Sequence, residues 1–217
     1  MKKWYILIVL VDLLMLTLCP SWGLAQELQP IRLLPPQTDI GRPLMQVLKS
    51  RSTAREFSAD PLPAQLLSNL LWAAFGINRP DSGKRTAPSA RNWQETDIYV
   101  ATAGGLYVYD ARAHQLNPIL REDVRAQTGT QSYVKDAPLN LVYVADLAKT
   151  GGDSTDRDLY VGADTGFIAQ NVYLFCASEG LAVVVRGSVD RAALSRLMRL
   201  RPTQKITLAQ TVGYPGK

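Results

Sequence analysis

A long apolar segment near the end of the chain most strongly constrains what it can fold into. Residues 158–179 predict one helix that is apolar almost all round and therefore central to the core. Gly180 is expected to end it. Residues 181–185 and 139–145 are apolar runs without alternation, which indicates strands buried on both faces. The sequence therefore predicts a long helix and buried strands that share one core.

Other segments add helices and antiparallel strands around this centre. Helices are expected after Pro43 and Pro63, the second ended by Gly76. Further elements are predicted as a hairpin over 97–102 and 106–109, a short helix over 121–127, a helix capped by Asp190 that runs through Met198, and a final strand over 206–212. Residues 77–94 are predicted to be loop-like. The predicted fold class is α+β, with a small, mostly antiparallel sheet flanked by helices.

The N-terminus has the order of a secretory signal peptide. Lys2 and Lys3 precede an apolar run over residues 4–18, and the small residues Gly23 and Ala25 follow. We expect cleavage after Ala25, so that residues 1–25 are a signal peptide and the protein is exported to the periplasm or another extracytoplasmic location.

Two alternatives to a cleaved signal remain: an uncleaved anchor and a lipoprotein acylated at Cys19. Leu18 disfavours the second, because a lipoprotein signal has a small residue there. The apolar run is shorter than the roughly 20 residues that a spanning helix needs, and it contains Asp12. The mature chain is expected to comprise an extended arm over residues 26–42 and one domain over 43–217, without a stable membrane span.

Composition excludes several classes of function. The hydrophobic fraction of 47% suits a globular domain, and loss of the signal lowers the formal net charge from +5 to +4. This charge is not gathered into a basic stripe with aromatics, which argues against a nucleic-acid partner. Cys176 is the only cysteine of the mature chain and His114 its only histidine. An intramolecular disulfide, a zinc site and a Ser/His/Asp triad are therefore excluded.

A polar cluster directly follows the first predicted helix of the domain. Arg51 and Arg55 flank the hydroxyls of Ser52 and Thr53. Arginine offers a bidentate fork to phosphate, and hydroxyls add single hydrogen bonds, so this cluster can hold a phosphate or a polar ribityl chain. A capped turn with solvated arginines is the alternative interpretation.

The order of five segments resembles the nitroreductase family. Residues 51–57 are similar to its Arg-Arg-Ser-x-Arg-x-Phe signature, and residues 87–94 to its Pro-Ser-x-x-Asn-x-Gln loop. Residues 169–181 resemble the central helix and its following turn. Residues 186–187 fall where the family places a backbone turn against the flavin ring, and residues 212–215 resemble the closing strand.

The resemblance implies a homodimer with FMN in two clefts at the subunit interface. Arg51, Thr53 and Arg55 would then hold the phosphate, the ribityl chain and the pyrimidine edge. The partner chain would contribute the residues that shape the ring and ribityl pocket. These are Pro88, Ser89, Ala90 and Asn92. Main-chain groups of Arg186 and Gly187 would lie near N5 and O4 of the ring.

The chain departs from the family pattern in two places. Ser52 replaces the second signature arginine, and the chain ends at Lys217 without the family's terminal basic pair. Lys217, Lys205 or Arg51 would have to neutralise the phosphate. The long helical excursion that covers the substrate side in larger members is also missing, so an open or differently covered cleft is expected.

The function implied is that of an FMN-dependent oxidoreductase that moves hydride through flavin N5 in a ping-pong cycle. No side-chain acid or base is obligatory for that cycle, and Tyr99, Tyr107 and Tyr133 are assigned no role. Export leaves the electron donor open between NAD(P)H and a membrane quinol or redox partner. The substrate could instead be oxidised, as in the related peptide azoline dehydrogenases. The alternative is an exported flavin- or ligand-binding protein without turnover.

Overall fold

The computed structural model describes residues 28–216, whose strands form a seven-stranded sheet and a separate two-stranded hairpin. The helices are α1 (Leu44–Ser50), α2 (Ala64–Phe75), α3 (Ser154–Glu179) and α4 (Arg191–Leu197). The strands are β1 (Ile31–Arg32), β2 (Ile77–Arg79), β3 (Lys84–Arg85), β4 (Thr96–Thr102), β5 (Gly105–Asp110), β6 (Gln115–Leu120), β7 (Leu139–Asp146), β8 (Ala182–Arg186) and β9 (Gln204–Gly213).

The large sheet has the strand order β1-β6-β5-β4-β7-β9-β8, and its described strand pairs are all antiparallel. Helices α2 and α3 contribute to the core on one face, where Tyr143 of β7 meets Ile168 of α3. Helix α4 covers the other face, where Val142 packs near Leu194. Strand β7 is buried at every position, as the sequence predicts for residues 139–145. The predicted α+β fold class is confirmed.

Helix α3 begins at Ser154, four residues earlier than predicted. One stripe of it is buried against the sheet, including Ile168 and Val172, but the opposite stripe exposes 67% of Leu159 and 47% of Phe167. The prediction of a helix within the core is therefore right for one face only. A single sheet covers one side of a helix, and apolar residues on the other side stay accessible in the isolated chain.

Local end signals predicted several boundaries well. Helix α2 ends before Gly76, and α3 ends before Gly180, whose φ of +72° suits glycine. Asp190 caps α4 by accepting a hydrogen bond from Ala193 N at 3.0 Å. Strands β4 and β5 form the predicted hairpin, with Thr102 opposite Gly105.

The predicted helix over residues 121–127 is wrong. The chain forms strand β6 before it and only a short 3₁₀ turn, Arg125–Thr128, within that region. Pro118 lies inside β6, opposite Tyr107 of β5. Proline is tolerated there because β1 pairs only with the first two residues of β6 and leaves the Pro118 stretch as an edge.

The described part of the predicted arm is fastened to the domain. Strand β1 extends the sheet, and the Leu34 carbonyl accepts hydrogen bonds from Ser68 Oγ and His114 Nε2. His114 Nδ1 lies 3.0 Å from Tyr109 Oη. The single histidine of the chain thus holds the arm in place.

Two sequence-based predictions fall outside the described residues: the signal peptide over residues 1–25 and the role of Lys217. Among residues 28–216, the helices are all too short or too polar to cross a bilayer.

Candidate functional site

The polar cluster after α1 forms a ledge along the free edge of the sheet; we call residues 51–55 the arginine ledge. Strand β8 is the last strand of the sheet, and Ala54 N donates to Val183 O at 3.0 Å beside it. Further on, Gly216 N donates to Glu56 O. These main-chain bonds fix the path of the ledge, so the side chains of Ser52, Thr53 and Arg55 remain exposed.

Tyr173 of α3 joins the ledge to the sheet. Its hydroxyl accepts a hydrogen bond from Val185 N at 3.0 Å and lies 3.1 Å from Thr53 Oγ1. The guanidinium of Arg51 lies over the same ring, 5.3 Å from its centroid. The sequence motif included Tyr173 but did not assign it a role; its hydroxyl on a buried helix face was the available signal.

The ledge has the donor set that a phosphate monoester requires. Arg51 is half-buried and Arg55 exposed, and within residues 28–216 neither forms an ion pair with a carboxylate. Among the described residues, one short segment therefore carries two guanidinium groups without carboxylate partners together with two hydroxyl groups, which are donors that bind phosphate. The chemistry of the ledge fits the phosphate and ribityl chain of FMN.

Residues 88–94, the second predicted contact segment, form a strained loop beside the N-terminal half of α3. Arg91, Asn92 and Gln94 have φ angles of 50°, 57° and 48°. For residues other than glycine this conformation costs about 1 kcal/mol or more each. Gln94 N donates to Ser89 Oγ at 3.0 Å, and Ala90 N donates to Asp164 Oδ2 at 2.8 Å. These bonds hold the strained backbone.

A buried pair of carboxyl groups supports this loop. Glu95 is fully buried and Asp164 is 3% exposed. Burial raises the pKa of both groups, and the neighbouring Asp164 charge raises the pKa of Glu95 further. Oε2 of Glu95 has no hydrogen-bond partner in the described chain, which also disfavours the charged form of this carboxyl group. Sequence reasoning missed this pair, because its members are far apart along the chain.

The two predicted contact segments do not meet within one chain. The ledge is tied to α3 at Tyr173 and the 88–94 loop at Asp164. These positions are separated by two and a half helical turns, about 13 Å along the axis. The sequence prediction that Pro88, Ser89, Ala90 and Asn92 act on the cleft of the partner chain requires such a separation and stays a prediction.

Arg186 has a structural side chain. Its guanidinium is buried and donates to Thr211 Oγ1 at 3.0 Å, Thr128 O at 2.7 Å and Asn140 Oδ1 at 2.9 Å. Burial lowers its pKa to about 10. Only the main chain of Arg186 is left for a ligand, in keeping with the main-chain role predicted for it, while the following Gly187 is exposed.

Other reactive side chains are engaged elsewhere. Cys176 is fully buried, and burial raises the pKa of its thiol. Lys205 Nζ lies 3.6 Å from Asp158, near the start of α3 and away from the ledge. No group of three or more potential metal ligands occurs in the described part of the chain.

The three tyrosines without an assigned role have structural contacts. Tyr107 Oη donates to the Gly104 carbonyl at 3.1 Å, and the ring of Tyr133 lies 5.5 Å from that of Phe57. Burial raises the pKa of Tyr99. None of these contacts presents a proton to the ledge.

Comparison with known proteins agrees with this architecture. The model of the nitroreductase family matches residues 48–214. The chain belongs to the nitroreductase family. Membership identifies the protein as an FMN-dependent oxidoreductase, as the five ordered motifs predict.

Individual relatives span most of the chain. A nitroreductase-type protein of Methanocaldococcus jannaschii is 31% identical over 169 residues, 73% of this chain and 85% of the relative. A nitroreductase-type crystal structure from Ralstonia eutropha is 41% identical with a TM-score of 0.84, covering 88% of this chain and 91% of that chain. A nitroreductase-type crystal structure from Desulfovibrio desulfuricans, in complex with FMN, is 20% identical with a TM-score of 0.59. It covers 81% of this chain and 88% of that chain, and it shows that the two proteins share a fold.

Proposed function

We propose that this nitroreductase-family protein binds FMN between two copies of the chain. There it would transfer hydride to or from a small-molecule or peptide substrate. The observation that carries the proposal is the arginine ledge. Within residues 28–216 its two cations have no carboxylate partner, and Tyr173 contacts Thr53, Arg51 and the edge of β8. An exposed, positively charged ledge of this kind fits the phosphate of the cofactor that the family uses.

In this proposal one chain supplies the ledge. Arg51 and Arg55 bind the phosphate and pyrimidine edge by charge-assisted hydrogen bonds, and Ser52 and Thr53 contact the ribityl chain. The main chain at Arg186 and Gly187 lies beside the ring. Lys217 stays a predicted further contact to the phosphate.

The second chain supplies Pro88, Ser89, Ala90 and Asn92. Supporting evidence for dimerisation comes from α1 and α3, which expose Met45 by 75%, Leu44 by 61% and Leu159 by 67%. Large exposed apolar side chains such as these are typical of surfaces that a second protein chain covers.

When bound, FMN would supply hydride transfer at N5. The chain's own residues would bind and orient the cofactor. The arginines would balance the charge of its phosphate, and main-chain groups at Gly187 would contact the edge of its ring. The proposed electron donor is a quinol or redox partner outside the cytoplasm, with NAD(P)H as the alternative.

A spectrum of the purified mature chain, beginning at residue 26, tests the proposal. We expect bound FMN, bleaching by dithionite, and recovery of colour when a quinone or nitroaromatic acceptor is added. A colourless protein that ignores added FMN would contradict the proposal. Flavin that binds but is reoxidised by no acceptor would favour the binding protein without turnover. Light scattering of the same sample is expected to give a dimer.

A further inference from the structure

A small cavity next to the 88–94 loop is lined by cations, and none of its described lining residues is a carboxylate. We call it the hairpin pocket; its volume is about 210 Å³. Strands β2 and β3 form one wall and the loop forms the other. The lining residues are Arg79, Lys84, Arg85, Ala87, Pro88, Ser89, Asn92 and Gln94.

The hairpin places like charges side by side. In the β2–β3 register, Arg79 lies directly opposite Lys84, and Arg85 is the next residue along. Like charges in directly opposed positions of a strand pair are destabilising. Within residues 28–216, neither Arg79 nor Lys84 has an ion-pair partner. Arg79 Nη2 donates to the Arg85 carbonyl at 2.6 Å and its Nε to Asn78 Oδ1 at 3.0 Å, but no carboxylate of the described chain offsets the two neighbouring charges.

Arg85 holds the inner end of the pocket. Its Nε donates to Gln94 Oε1 at 2.8 Å and its Nη1 to Phe75 O at 3.0 Å, so the side chain is fixed. Burial lowers its pKa, while Asp97 and Asp110 oppose that change. Asp97 forms its ion pair with a lysine elsewhere, and Asp110 accepts main-chain hydrogen bonds in its own turn. Neither carboxylate lines the pocket.

The loop wall adds neutral donors. Ser89 Oγ accepts a hydrogen bond from Gln94 N, which leaves the hydroxyl proton free to donate. Asn92 Oδ1 accepts from Gln94 Nε2, which leaves the Asn92 amide group as a donor. Cations on one wall and donors on the other form a site for an anion.

We propose that the hairpin pocket binds an anionic group of the substrate, a carboxylate or phosphate, and so selects anionic substrates for the flavin cleft. The volume equals about seven waters of liquid, enough for one such group and too small for a nucleotide. This inference rests on the proposed function, because the pocket shares Pro88, Ser89 and Asn92 with the segment expected to contact FMN.

Matched substrates test the charge requirement in the FMN-loaded protein. We expect KM to be lower for 4-nitrobenzoate than for 4-nitrobenzamide, and this preference to weaken with added salt. Lys84→Gln should raise KM for 4-nitrobenzoate about tenfold and leave the value for 4-nitrobenzamide unchanged, since one charge-assisted contact is lost. Arg121→Gln, the same charge change at an exposed position away from the pocket, should change neither. Equal effects of Lys84→Gln on both substrates would overturn the proposal.

Direct binding separates this inference from the proposed function. Calorimetry with 4-nitrobenzoate should give binding that Lys84→Gln and Arg79→Gln weaken, even if no flavin turnover is found. Lys84→Gln removes like-charge repulsion, so this variant is expected to fold. Arg79→Gln also removes the hydrogen bonds to Arg85 O and Asn78 Oδ1, so Lys84→Gln is the deciding variant. If the protein reduces its substrates through the flavin but does not bind 4-nitrobenzoate, the anion site in the hairpin pocket is rejected and the proposed function stands.

The cofactor is the other possible source of the anion. FMN and riboflavin affinities of the Lys84→Gln variant should both equal those of the unaltered protein. A selective loss of FMN affinity would overturn the proposal, because the pocket would then hold the cofactor phosphate.

Discussion

The arginine ledge and the 88–94 loop are held in opposite ways. Main-chain hydrogen bonds to β8 and the end of the chain fix the ledge, and its charged side chains stay open to ligand. The loop depends on side chains: Asp164 accepts from Ala90 N, and Glu95 is buried behind it. Its backbone adopts three left-handed conformations that such support must maintain.

This difference predicts that the ledge controls ligand affinity and that the residues under the loop control the stability of the fold. Substitutions on the ledge should change ligand affinity with little effect on folding, because the side chains contact few protein groups. Substitutions under the loop or inside the sheet should change folding, because they leave buried polar groups unpaired.

The largest effect is expected from Arg186→Leu, which compares the contribution of a buried arginine to folding stability with that of an exposed arginine on the ledge. The change leaves acceptors at Thr128, Asn140 and Thr211 without their shared donor. We expect the free energy of unfolding to fall by about 3–5 kcal/mol in urea denaturation, because each buried acceptor that loses its donor costs about 1–3 kcal/mol. Arg55→Leu, on the exposed ledge, should change it by less than about 0.5 kcal/mol. Similar losses in both variants would remove the distinction between the regions.

Arg55→Ala tests the ligand side of the comparison. Loss of a charge-assisted contact should weaken FMN binding by about 1.5–3 kcal/mol, measured by fluorescence titration. The unfolding free energy of the flavin-free protein should stay unchanged. Unaltered FMN affinity would show that the motif at residues 51–57 has been matched to the family incorrectly.

The carboxyl pair under the loop makes the stability of the protein depend on pH. The native pKa of Glu95 is raised above its ordinary 4.5 by burial and by Asp164, so the native state holds this proton more tightly than the unfolded state. The stability from this group is fully present below pH 4.5 and is lost as the pH rises through the native pKa. The Glu95→Gln variant should not show this loss. At neutral pH its free energy of unfolding should exceed that of the unaltered protein by about 1 kcal/mol.

Urea denaturation from pH 4 to pH 8 measures the difference between the two proteins. Exposed Glu122 provides the matched control: Glu122→Gln should follow the unaltered protein at every pH. Parallel curves for Glu95→Gln and the unaltered protein would show that the native state does not raise the pKa of Glu95.

The smallest effect concerns the single side chain that ties the ledge to α3. Tyr173→Phe keeps the ring under Arg51 but removes the hydroxyl that accepts from Val185 N and meets Thr53 Oγ1. We expect the free energy of unfolding to fall by about 0.5–1.5 kcal/mol, and hydrogen exchange at the Val185 amide to become faster. A double-mutant cycle with Thr53→Val should show coupling; additive effects would contradict a shared hydrogen bond.

Sequence patterns predicted those parts of the fold that local chemistry controls. Glycines at 76 and 180 and the cap at Asp190 ended or began helices where expected, since each acts on neighbouring backbone groups. Strand β6 was missed because Pro118 argues against a strand locally. Proline is tolerated in β6 because β1 pairs with only the first two residues of that strand. This pairing cannot be predicted from the residues around Pro118.

The sequence by itself determined the family, through five motifs in order, and the residue types of the arginine ledge. Only the tertiary structure showed that Tyr173 joins Thr53 across 120 positions and that Asp164 holds Ala90 across 74. It likewise brought Arg79 opposite Lys84 around the hairpin pocket. The physical reason is that backbone conformation follows neighbouring residues, whereas a buried hydroxyl, proton or charge takes its properties from partners that folding brings close.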